Sequence, residues 1–192
     1  MVDLNVQHIA QNFEFDCWYA ALRMIVKFRY GANAEPVGLE VAEVSGMERQ
    51  SLRDAMRRDM QQRGESPGAY ANRRELGRVP PIGLRPDQFI FLAQRNGLVS
   101  PLLPPSPAHG GGFTYNQLET LLQLHGPLWC AFGYGHIVVL KGAVMSTLLI
   151  HDPQGGANHA HTIAEFNNLL AWDTPDCIMF LPGTPNANAF TG

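Results

Sequence analysis

The sequence predicts an α+β fold in which an N-terminal helical lobe packs on a C-terminal antiparallel β-sheet lobe. Capped, amphipathic helical patterns occupy most of the chain up to about residue 125, and short β-branched runs with Gly-rich breaks follow from Pro127. At 192 residues, 45% hydrophobic and 16% charged, the chain is long enough for one domain with a hydrophobic core and too apolar for disorder.

The first helix is expected from Cys17 to about Tyr30, with Trp18, Ala21, Leu22, Ile25 and Phe28 on one side. Asp16 is placed to cap it, and Gly31 suits the left-handed position that closes it. A weaker helical stretch, Gly38 to Val44, precedes the polar helix "MERQSLRDAMRRDMQQR", whose stripe is Leu52, Met56 and Met60. The Gly/Pro-rich run from Gly64 to Pro86 then reads as a long surface loop. "PDQFIFLAQRNG" is a helix stopping at Gly97, and Ser100 to Gly112 is a second flexible connection. "TYNQLETLLQLHG" opens with the capping box Thr114…Gln117 and ends at Gly126.

Three strands follow in "PLWCAFGYG", "HIVVLKGAV" and "STLLIHDP", then a helix behind the capping box Thr162…Glu165, then a last strand in "PDCIMFLPG". The expected organisation is a single domain over 1–192, with a helical lobe to about 125 and a sheet lobe from 126 to about 185.

Composition narrows the function. A net charge of −3 gives no electrostatic basis for binding nucleic acid or an anionic membrane, and the basic runs "MRRDMQQR" and "NRRELGR" are interleaved with acids and Gln. No run reaches the ~18 consecutive apolar residues of a membrane helix. The start, "MVDLNVQHIAQNF", has neither the basic and apolar regions of a signal peptide nor the length of an inhibitory pro-segment before Gln11. Cys17, Cys130 and Cys177 are an odd number, far apart, and match neither a disulfide framework nor a zinc site. No cofactor or metal is expected.

Cys17 is the exception among these cysteines. A thiol at a helix N-terminus meets the positive end of the dipole and unpaired backbone N–H groups, which favour the nucleophilic thiolate. Cys130 and Cys177 lie in apolar strands and read as core. A nucleophile needs a base and an orienting group. Of seven histidines, His8, His109, His125, His159 and His161 read as solvent-facing or capping groups, the last two in a loop. His136 instead opens an apolar strand behind Gly-Tyr-Gly. Asp152 ends the next strand, and a hairpin centred on residue 144 sets it opposite residue 136. There a carboxylate holds an imidazole in one tautomer and orientation. Gln11, six residues before Cys17, could join the Cys17 N–H as an oxyanion donor. Asp173 and Asp176 are assigned no chemistry.

These residues carry a family resemblance. Gln11, Cys17, Trp18 and Ala20 form Q-x5-C-W-x-A; Gly135, His136, Val138, Val139 and Gly142 form G-H-x-V-V-x-x-G; Ile150, Asp152 and Pro153 form I-x-D-P. In that order the chain resembles papain-like cysteine peptidases, above all the compact bacterial branch of bacteriocin-leader peptidases and injected effector proteases. The resemblance implies Cys17 on a helical lobe, His136 and Asp152 on a sheet lobe, a cleft between them, and Trp18 packed at the lobe interface. Larger relatives commonly carry Asn as the third residue and several disulfides. The stretch from Leu39 to Gly112 matches nothing and is where substrate recognition is expected, its long loops being candidate cleft walls.

The resulting expectation is a cysteine peptidase acting on a protein or peptide: Cys17 attacks, His136 moves the proton, Asp152 orients His136, and Gln11 helps hold the oxyanion. Two alternatives stay open. One is an amidase, deamidase or acyltransferase using the same residues; the other is a silent binding domain on the same scaffold. The effector resemblance implies a bacterial toxin domain delivered by a secretion system into a target cell's cytoplasm and restrained in its producer by a cognate immunity protein. A leader peptidase would instead imply a transporter partner.

Overall fold

The computed structural model describes residues 1–11, 16–37, 84–184 and positions 57, 58, 60–62, 64–66 and 69. The expected helix from Gly38 to Val44, most of the polar helix after Met47 and most of the loop from Gly64 to Pro86 lie outside the described residues. Strand β1 is Val2–Asp3 and helix α1 is Cys17–Tyr30. Helix α2, Phe89–Asn96, follows a short 3-10 turn, and α3 is Tyr115–His125. The sheet continues with β2 (Leu128–Phe132), β3 (His136–Val144), β4 (Thr147–Asp152) and β5 (Gly156–Thr162). Helix α4 (Ile163–Leu169) and β6 (Ile178–Met179) complete the described elements. This is the expected α+β arrangement.

The sheet is antiparallel, in the order β5-β4-β3-β2-β6. Helices α1 and α3 both pack against β3. That explains why β3 is apolar almost throughout and buried along nearly its whole length. The core joins Trp18, Leu22 and Ile25 of α1 to Leu118 and Leu122 of α3 and to Trp129, Val139 and Leu140 of the sheet. Trp129 ties these layers together: its indole Nε1–H donates to Trp18 O at 3.1 Å, and its ring meets Phe89 edge-on.

Local chemistry explains most boundaries. Both capping boxes form as read, with Thr114 and Thr162 accepting from the N–H groups of Gln117 and Glu165. Gly97 closes α2 in the left-handed conformation. Two expectations at α1 are corrected. Asp16 holds the N-cap position, but its side chain makes no capping hydrogen bond; its backbone carbonyl accepts from Tyr19 and Ala20 instead. Gly31 has φ +99° with an extended ψ of 165°, so it closes the helix through positive φ without the left-handed helical geometry.

Two strands escaped the sequence reading. β5 carries His159 and His161 in "GANHAHT", a polar, mostly exposed edge strand where a loop was expected. Its apolar signal is missing because an edge strand open to water needs none. β1 is two residues long and adds to β3 beyond the start of β2, pairing Val2 with Ala143 and Asp3 with Gly142. The approach is close: a Cβ on Gly142 would lie 3.1 Å from Val2 O. Asp3 then forms an ion pair with the buried Lys141 at 2.5 Å, and Lys141 Nζ also donates to Asn158.

Asp3→Ala leaves the Lys141 ammonium buried without its carboxylate. It is expected to cost about 2–3 kcal/mol, read as a lower urea midpoint at unchanged m-value.

Candidate active site

The end of the sheet where β3 begins and β4 stops gathers the predicted chemistry. Cys17 is the first residue of α1, and His136 the first residue of β3. Both line a cleft of about 410 Å³, together with Trp18, Phe89, Tyr134 and Asp173. Asp152, the last residue of β4, stands behind the imidazole: His136 Nε2 donates to Asp152 Oδ1 at 2.6 Å. A carboxylate only accepts, so this bond puts the Nε2 proton on the Asp152 side and leaves Nδ1 for the sulfur. Cys17 and Asp152 both act on the imidazole, Asp152 through this hydrogen bond.

The register that produces this pair differs from the simple hairpin. The turn sits at Met145 and Ser146, both at positive φ, so the two-residue turn is centred later than residue 144. A bulge at Lys141 then moves the register part of the way back, and the last rung pairs Val139 with His151. His136 and Asp152 therefore lie beyond that rung and meet through their side chains at the strand ends.

Electrostatics follow from this contact. Burial pulls His136 down, but hydrogen bonds to Asp152 and Cys17 and the charges of both outweigh it and hold its pKa at about 9. Burial pushes Asp152 up, yet the His136 bond and backbone N–H donors at Gly155 and Gln154 bring it down to about 2. Gln154 N–H donates to Asp152 Oδ1 at 2.8 Å, the same oxygen that His136 uses. At neutral pH an imidazolium and a carboxylate thus face each other, with the cleft side of the ring toward Cys17.

Gln11 is held beside this pair. Its backbone N–H donates to Pro153 O at 2.9 Å, although Gln11 is not among the residues lining the cleft. Trp18 is buried at the lobe contact, and its Nε1–H has no hydrogen-bond partner among the described residues. Cys130 and Cys177 are fully buried core; burial pushes both thiols up, Cys177 to about 11. Among the described residues no group of three or more His, Cys, Asp or Glu is placed to hold a metal ion, and no helix is long and apolar enough to cross a membrane.

Two features were missed in the sequence. Tyr134 stacks on His136, with centroids 5.9 Å apart and planes 19° from parallel; its place between Gly133 and Gly135 was the available signal. Asp173 lines the cleft although no chemistry was assigned to it, whereas Asp176 accepts from Ser100 away from the site. Leu84 and Pro86 put the end of the first long loop on the cleft wall, as expected of a candidate wall.

Compared with known families, residues 1–171 match the family described as papain-like cysteine protease AvrRpt2. The match spans the helix of Cys17, the hairpin of His136 and Asp152, and α4.

In Asp152→Asn the His136 pKa is expected to fall from about 9 by at least about one unit, read by NMR titration of the imidazole. Stability follows the sign of each shift. The raised His136 pKa contributes stability that is complete below 6.5 and is lost as pH rises through about 9. The depressed Asp152 pKa contributes above 3.8 and is lost as pH falls through about 2. The stability gap between wild type and variant is therefore expected to be widest between about pH 4 and 6.5 and to close at both ends.

Proposed function

The chain belongs to the papain-like cysteine protease AvrRpt2 family and is a cysteine peptidase, and we propose that it cleaves its protein substrate with Cys17, His136 and Asp152. The observation that carries this assignment is the 2.6 Å bond from His136 to Asp152 at a cleft that His136 lines together with the helix-start Cys17. Packing alone does not require a histidine, a carboxylate and a thiol at one mouth of one cleft.

In this reading the Cys17 sulfur, with its proton carried by His136, attacks the scissile carbonyl carbon. The carbonyl oxygen takes up negative charge, and the Cys17 N–H at the start of α1 with the Gln11 side-chain amide receives it. His136 gives its proton to the leaving amine as the C–N bond breaks, leaving a thioester on Cys17. The neutral imidazole then takes a proton from water as the water oxygen bonds to the thioester carbon; the C–S bond breaks, the acid product leaves, and the proton stays on His136 beside the freed thiolate. Asp152 stays ionised throughout and keeps Nε2 protonated, so that Nδ1 is the nitrogen that works. The chemistry uses the side chains present and water. The cleft's position between α1 and β3 supports a substrate strand lying across both lobes.

The protein is proposed to act as a bacterial effector or toxin. Its producer would deliver it into the cytoplasm of a target cell and restrain it with an immunity protein that covers the cleft. The effector-type run from Cys17 to Ile25 supports this reading.

Wild type expressed in bacteria without an immunity partner is expected to slow growth and create new protein N-termini, both absent in Cys17→Ala. Slowed growth without new termini would assign the same residues to an amidase or deamidase reaction. Equal growth of the two strains would count against the toxin role. With purified protein and a cleavable substrate, Cys17→Ala and His136→Ala are each expected to lower kcat by on the order of 10³-fold or more.

A further inference from the structure

The chain from residue 1 to residue 11 runs back along the sheet as a strap and ends at the turn that carries Asp152. The amino group of Met1 pairs with Glu119 on α3, and β1 pairs with β3. Leu4 N–H then donates to Lys141 O at 3.0 Å. Val6 O accepts from His151 Nε2 at 2.9 Å, while His151 Nδ1 accepts from the Asn158 N–H at 3.1 Å. These two bonds fix His151 as the neutral Nε2–H tautomer, consistent with the lowering of its pKa by burial.

Two residues further on, His8 Nε2 lies 2.8 Å from Asp152 O. A carbonyl can only accept, so His8 donates. Gln11 N–H takes the next carbonyl, Pro153 O. The ring of His8 also stands edge-on to His151, with centroids 5.5 Å apart.

Asp152 needs such support because the β3–β4 ladder ends at the pair Val139–His151. Past that rung β3 offers no rung to hold Asp152 in place. On the other side Asp152 pairs with Gly156 of β5, at the end of that ladder and past a break in register after Ile150. The carboxylate must nevertheless be held to within a few tenths of an ångström to keep a 2.6 Å bond to His136.

We propose that His8 is a positioning residue for the reaction: by holding the Asp152 carbonyl it fixes the carboxylate against His136, making the N-terminal strap part of the catalytic apparatus. The inference rests on the assignment of Cys17, His136 and Asp152 made above. It reaches the reacting atoms only through Asp152.

The test compares wild type, His8→Phe, His8→Gln and Asp152→Asn. His8→Phe keeps a ring against His151 and loses the donor, whereas His8→Gln keeps an N–H donor. Each protein is assayed for peptide hydrolysis, for the pH dependence of Cys17 alkylation by iodoacetamide, and for Tm. The alkaline limb of the alkylation profile reports His136, near pH 9 in wild type.

His8→Phe is expected to lower kcat about tenfold with KM unchanged, since a misplaced carboxylate weakens a step rather than substrate binding. The alkaline limb is expected to move to lower pH in the same direction as in Asp152→Asn, and His8→Gln to restore both readouts. A His8→Phe protein with wild-type kcat and limb would overturn the proposal. So would a loss of activity that follows Tm with the limb unmoved, because that is the signature of a structural residue. If Asp152→Asn itself leaves the limb unmoved, the failure belongs to the assignment of Asp152, and the proposal for His8 falls with it.

Discussion

The hydrogen bond from His136 to Asp152 is the constraint on which the rest of the site depends. It joins the opening residue of one central strand to the closing residue of its neighbour, so it forms only if the hairpin between them has one register. A slip of a single residue would turn a side chain to the other face of the sheet. The apolar run of β3 resists such a slip, because it buries Val138, Val139 and Leu140 against the helices and the adjoining strands. Core packing thus sets a register, and the register sets a distance between two polar groups. The same helix α1 that packs on β3 begins at Cys17, so the sulfur is placed against His136 by the burial of Trp18, Leu22 and Ile25.

Burial has a second consequence at this site. Removal from water opposes the charge on both His136 and Asp152, yet each ends more firmly charged than in solution because they face each other and Gln154 and Gly155 add backbone donors. The arrangement does not depend on burial to make a reactive histidine; it depends on close contact to overcome burial. Tyr134, stacked on the imidazole, covers the ring on one side. An exposed pair of the same groups would be screened and would not hold one geometry.

Much of this was legible in the sequence wherever local chemistry decides. The two capping boxes, the span of α1, the helix ending at Gly97 and the three apolar strands all follow from signals within a few residues of one another. The adjacency of His136 and Asp152 was also readable, since a short hairpin places both strand ends together even when its centre is misjudged. What could not be read depended on tertiary contacts. The Met145–Ser146 turn lacks the Asn-Gly signature, and the one cue in "VVLKGAV" to a bulge at Lys141 is the adjacent Gly142. β5 has no apolar face, and β1 is too short to carry a period. Asp16 looks like a cap by type and holds the N-cap position, but its side chain makes no capping hydrogen bond.

The histidines illustrate the limit most clearly. By sequence His8, His159 and His161 look equivalent: polar, near small or polar neighbours, without periodic context. Their difference comes from which carbonyls run out of partners when the sheet ends. At the last rung of β3 and β4 the carbonyls of Asp152 and Pro153 need donors, and a buried carbonyl left without one costs about 1–3 kcal/mol. Residues 8 and 11 supply them because β1 has already anchored the strap three residues after the start of the chain. The cost of ending a sheet at the candidate site is thereby met by the segment that precedes α1. β4 and the turn after Asp152 are thus tied to residues 1–11 by hydrogen bonds that run from His151 through Asp152 to Pro153. That stretch also buries Val2, Leu4 and Val6 in the core, so packing fixes where its donors stand.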